Sequence, residues 1–154
     1  MVARSSSGSL PDDAGISAQA LVLQDRAITL ARTDAEAWDE ASDALRAASD
    51  PDNVPERRGL LEQALDRAAA IPLEVAELGA DAAVLAALAA ERCEPSVRAD
   101  AVAAAALAVG GTRAAAHLVE VNLGVRPGDP RLERARATEQ AAADSARRVL
   151  AAIR

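Results

Sequence analysis

The sequence contains no lysine, no phenylalanine and no tyrosine, and it has a single tryptophan (Trp38), a single cysteine (Cys93) and a single histidine (His117). Each scarcity excludes something. One cysteine cannot close an internal disulfide. No second Cys and no His stands at metal-ligand spacing from Cys93, so no metal site is expected and the thiol reads as a structural residue at a helix end. With one aromatic side chain and a net charge of -7, the chain lacks the basic, base-stacking surface of a nucleic-acid binder. No signal peptide is recognisable, and the longest uninterrupted apolar run, Ala101 to Val109, is too short to cross a bilayer. A cytoplasmic protein with neither nucleic acid nor membrane as partner is the expectation. All 17 basic residues are Arg, a bias from which no mechanism follows.

What the chain does have is alanine, roughly a quarter of its 154 residues, the composition of closely packed helices in one domain. Residues 1–13 carry Ser, Gly and Pro without periodicity and read as a flexible tail, leaving 14–154 as a single domain. The first helix is predicted over 14–48, stopping at Ser49-Asp50-Pro51-Asp52 because Pro51 disfavours the helical conformation in the residue before it. A second runs from Pro55 to about Arg92, with Pro72 inside it. A kink near Ala68 to Pro72 is expected there, since a proline removes one backbone hydrogen bond and crowds the preceding turn. The third helix is predicted from Pro95-Ser96 to Gly124, and the fourth opens with Asp129 as N-cap and Pro130 as first helical residue. Four helices joined by short connections predict an all-α antiparallel bundle.

One position breaks the pattern. Ala20, Leu23, Ala27, Leu30, Asp34, Ala37, Ala41 and Leu45 follow at steps of three or four, the spacing of one helix face. Asp34 therefore points where a core side chain belongs. A carboxylate there costs several kcal/mol unless it is paired, protonated or open to a water-filled cleft. A slipped register that lets it reach solvent is the alternative.

The third helix is apolar on nearly every side. At about 100° per residue Asp100, Ala104, Leu107, Gly111, Leu118 and Asn122 share one sector, with Arg113, His117 and Glu120 roughly opposite. Gly110-Gly111 costs helix propensity on the order of 1 kcal/mol per glycine, so the pair predicts close approach of another helix or a ligand. Asp100 has a simpler reading as an acid near a helix N-terminus, and Asn122 as a cap on the last carbonyls. His117 reads as a hydrogen-bonded helix-face residue, and Arg57-Arg58 and Arg147-Arg148 as solvated faces. Asp100 and Asn122 lie about 33 Å apart along a continuous helix at about 1.5 Å per residue, so they cannot share one small site within a chain.

Four segments, in order, then carry a resemblance: TDAEAW at Thr33 to Trp38, RAAAIPLEVAE at Arg67 to Glu77, RADAVAAAALAV at Arg98 to Val109, and VEVNL at Val119 to Leu123. Together they resemble the cyclodeaminase/cyclohydrolase family, comprising the C-terminal domain of formiminotransferase-cyclodeaminase and the stand-alone methenyltetrahydrofolate cyclohydrolases. The resemblance implies an all-helical domain that dimerises, with a tetrahydrofolate derivative bound near the subunit interface and a carboxylate in the chemistry. On this basis the family's motif aspartates fall on Asp34 and Asp100 as catalytic candidates. Its motif asparagine falls on Asn122, and Asn122 and Arg98 are the candidates for binding the folate. The chain departs from the family at Ala99, where Ser is usual, and at Leu118, where Asn is frequent. The family's Gly/Ser-rich opening and apolar first helix have no counterpart, and MVARSSSG resembles the tail of that helix. Two functions follow as expectations: an enzyme that hydrolyses the methenyl bridge of a folate or closes a formimino group with loss of ammonia, or a catalytically silent helical dimer used for assembly.

Overall fold

The computed structural model describes residues 13–48, 55–123, 126 and 128–152. Of the predicted tail over 1–13, Asp13 is already helical and residues 1–12 lie outside the described residues, as do the helix stop at Ser49 to Asp52, Gly124 and the side chains of Arg57 and Arg58. Four long helices account for nearly everything described: α1 (Asp13–Ala48), α2 (Pro55–Arg92), α3 (Arg98–Leu123) and α4 (Pro130–Ala152). Among the described residues there is no strand.

Local sequence explains the boundaries. Pro55 and Pro130 each open a helix, where a missing N–H costs nothing because the first-turn donors lack intrahelical acceptors anyway. Asp129 caps α4 as predicted, its Oδ1 accepting the Arg131 backbone N–H at 3.0 Å. Gly128 before it has φ 91°, the left-handed region where a Cβ would be strained. A single 3₁₀ turn, Pro95–Val97, joins α2 to α3. Pro72 sits inside α2 without dividing it.

The helix α2 is the hub. It packs against α1, α3 and α4, and α3 packs against α4, while α1 lies mainly along α2. The pairings run in opposing order: Arg26 meets Asp81 while Glu40 meets Arg67, and Asn122 meets Ala68 while Thr112 lies beside Gly79. Both α1 and α3 therefore run antiparallel to α2. Between α3 and α4, Arg113 pairs with Glu139 and Glu120 with Arg136.

The core is a chain of small clusters rather than one mass. Ile16, Leu85, Ala101 and Val149 gather at one end, Leu30, Ala37, Ile71 and Leu78 between α1 and α2, and Leu73, Val119, Leu123 and Ala135 at the other end. Alanine buries little area per residue, so these helices gain stability by approaching closely over a long front.

Two expectations about α3 are corrected. The close approach between helices is made not by Gly110-Gly111, around which a Cβ would meet nothing within 4 Å, but by Gly79, where a Cβ would lie 2.5 Å from Thr112 Oγ1. Gly110 and Gly111 are both exposed, and Gly111 borders an open groove. Further, the stretch Pro95–Leu123 is long and apolar enough to cross a membrane by length and composition, with mean hydropathy 1.4, although the Ala101–Val109 run alone is too short. Within it Arg113 and Glu120 are engaged with α4, and only 28 % of its most apolar stretch is buried within the chain.

Candidate functional site

Because α1 and α3 both lie on α2 without covering its outer face, a trough runs between them. Toward the N-terminus of α1 the trough widens into an apolar groove of about 710 Å³ lined by Ile16, Leu23, Leu78, Leu85, Leu107 and Gly111, with Asp100 among the lining residues. Toward the C-terminal half of α1 it narrows into a cleft of about 290 Å³ formed by Asp34, Trp38, Ala68, Pro72, Leu118 and Asn122.

The cleft is built from three i, i+4 pairs, one per helix, which is how side chains a turn apart come to share a face. Asp34 and Trp38 come from α1, Ala68 and Pro72 from α2, Leu118 and Asn122 from α3. Asp34 is half-buried and faces the cleft, and its carboxylate makes no hydrogen bond or ion pair with any described residue. Asn122 is half-buried, its Nδ2 donating to the Ala68 carbonyl at 2.6 Å. Pro72 explains that contact. In an α-helix the Ala68 carbonyl should accept from the backbone N–H four residues on, and residue 72 has none. The Asn122 amide satisfies a carbonyl that proline left open in the neighbouring helix, so it does not cap its own helix end. One Asn122 N–H and its Oδ1 remain for a ligand.

The same end of the bundle is tied by charge. Arg131 reaches both Asp66 Oδ1 and Asp129 Oδ2 at 2.7 Å, and Arg126 reaches Asp66 Oδ1 at 3.0 Å, so the α3–α4 connection is fastened to α2. The hydrogen bond from the Arg131 side chain, helped by its backbone N–H, holds the Asp129 carboxyl down at about 2, and the Asp66 carboxyl is lowered chiefly by Arg131 too.

The chain region 11–143 matches the formiminotransferase-cyclodeaminase family across most of its length. The chain belongs to the formiminotransferase-cyclodeaminase family. Among curated proteins no match was found.

For a member of this family the placement of the candidate residues is uneven. Asp34 and Asn122 meet in the cleft. Asp100 is exposed and lines the wide groove, separated from Asn122 by about 33 Å of unbroken helix at about 1.5 Å per residue. Arg98 is half-buried in the first turn of α3, where its Nε is buried with no hydrogen-bond partner, and it is not among the cleft-lining residues. His117 is exposed beside Glu120 at 3.9 Å and takes no part in the cleft. Among the described residues no group of three or more His, Cys, Asp or Glu could hold a metal ion. Sequence reasoning did not single out Trp38 and Leu118 as cleft residues. The available signal was their i, i+4 relation to Asp34 and Asn122.

Proposed function

We propose that the chain acts on a one-carbon-substituted tetrahydrofolate, with Asp34 as the group that carries the chemistry. The observation behind this reading is a half-buried carboxylate that faces a cleft and has no partner among the described residues, within the TDAEAW segment of a formiminotransferase-cyclodeaminase family member. In the hydrolytic reaction water adds to the methenyl carbon, one of its two C–N bonds breaks, and a formyl group results with release of a proton. In the cyclisation the folate's anilino nitrogen attacks the formimino carbon carried on the ring nitrogen, a new C–N bond forms, and the bond to the former imino nitrogen breaks with loss of ammonia. Both routes pass through a cationic, amidine-like carbon. A carboxylate beside it stabilises the charge and either takes the proton of the attacking water or returns one to the departing ammonia.

The apolar surface left open supports a homodimer. Leu107 is 77 % exposed and Val121 62 %, on a helix whose most apolar stretch its own chain barely covers, and exposed apolar surface of this kind marks an interface. Asp100 and Arg98 enter the folate site only if a second copy brings them to the cleft. A folate substrate, no metal and a cytoplasmic location complete the reading.

The test is turnover of methenyltetrahydrofolate and of formiminotetrahydrofolate by the chain and by Asp34→Asn, which keeps the shape and removes the charge. Loss of a positioned acid–base group lowers turnover by about 10²–10⁴-fold. The same open apolar surface favours a second reading, a silent dimer used for assembly. A stable dimer that turns over neither substrate would establish that reading in place of the first.

A further inference from the structure

Trp38 is the sole aromatic residue of the chain, and it is 61 % exposed on the wall of the cleft. An indole offers about 150–250 Å² of surface for burial, more than any other side chain, so a fold that contains one and leaves it outside has not used it for packing. Its neighbour one turn earlier on α1 is Asp34, whose carboxylate has no partner among the described residues. Residues four apart on a helix have Cβ atoms about 5–6 Å apart, close enough for both to touch one small group. Pro72 and Leu118 supply apolar walls, and the Asn122 amide is held in place by Ala68.

An electron-rich ring face and an unpaired carboxylate side by side favour one kind of ligand. A neutral flat ring would stack on the indole but leave the carboxylate unpaired, and a compact ammonium would pair with the carboxylate but use little of the ring. A flat group with delocalised positive charge satisfies both at once.

We propose that Trp38 and Asp34 together seat a planar, delocalised cation of the amidinium type, with the indole against its face and the carboxylate at its edge. The proposal rests on the folate reading for its natural ligand, since the methenyl and protonated formimino groups are such cations, and it makes Trp38 the residue that selects them over neutral formyl groups. Trp38 thereby acts in binding, while Asp34 serves both binding and chemistry.

The single tryptophan makes the test direct, because all indole emission comes from the cleft. The full chain is titrated with N-methylquinolinium, a flat delocalised cation, and with quinoline, its neutral counterpart at pH 7. Saturable quenching by the cation at a roughly tenfold lower concentration than by quinoline is expected. Asp34→Asn removes that preference, and Trp38→Leu, followed by calorimetry with circular dichroism as the check on folding, weakens the cation by a similar factor. Equal quenching by the two probes, purely collisional quenching by both, or a preference that survives Asp34→Asn would overturn the proposal. Folate turnover is scored separately: cation selectivity without turnover retains the seat and removes the folate reading, whereas turnover with an unchanged KM in Trp38→Leu does the reverse.

Discussion

The bond from Asn122 to the Ala68 carbonyl can be tested by restoring what Pro72 took away. Asn122→Ala leaves a carbonyl on Ala68, a residue 6 % exposed, with neither its helical donor nor its substitute. An unsatisfied buried acceptor costs about 1–3 kcal/mol. Pro72→Ala returns a backbone N–H to the Ala68 carbonyl and improves helix propensity by up to about 3 kcal/mol. In that background the Asn122 donor becomes redundant, and Asn122→Ala should cost no more than about 0.5 kcal/mol, the ordinary range for a substitution with no special role. The two substitutions are thus coupled by about 1–2 kcal/mol, well above the error of a double-mutant cycle. Urea unfolding followed by far-ultraviolet circular dichroism measures it. At a slope of about 2 kcal/mol per molar, a 2 kcal/mol loss moves the midpoint by about 1 M. An Asn122→Ala cost that is the same with proline and with alanine at position 72 would refute the account.

Three further outcomes are expected. Asp129 has its carboxyl lowered from 3.8 to about 2, so its stabilising contribution is complete above about pH 4 and is lost as pH falls through about 2; acid unfolding should steepen in that window, and Asp129→Asn should flatten it. Gly79→Ala sets a Cβ 2.5 Å from Thr112 Oγ1 and forces α2 and α3 apart, a cost of about 1–3 kcal/mol by thermal or urea unfolding, with no loss meaning that the contact relaxes freely. Leu107→Arg, at an exposed residue bordering the wide groove, should leave the fold of one chain within about 0.5 kcal/mol yet prevent the proposed dimer from forming in light scattering; a dimer that persists would place the interface elsewhere.

The sequence by itself determined the elements and one half of the cleft. Helix starts at Pro55 and Pro130 and the cap at Asp129 are local events, governed by which backbone N–H groups exist and which side chain stands two residues before them. Asp34 was legible for the same reason: a charge on an apolar stripe is a conflict within a single helix. The tertiary structure decided the rest, because alanine-rich faces are nearly interchangeable and periodicity does not say which of them meet. Gly79 rather than Gly110-Gly111 makes the close contact, and that depends on Thr112 of another helix lying opposite. Asn122 turns from a residue near the end of its own helix into the partner of Ala68 only when α3 is laid antiparallel on α2 at the level of Pro72. Trp38 becomes a wall of a cleft, and Asp100 a resident of a different groove, only once α1 and α3 are set on the same side of α2 and left apart. Those placements are sums of many weak contacts between small side chains over long helices, and no single residue in the sequence announces them.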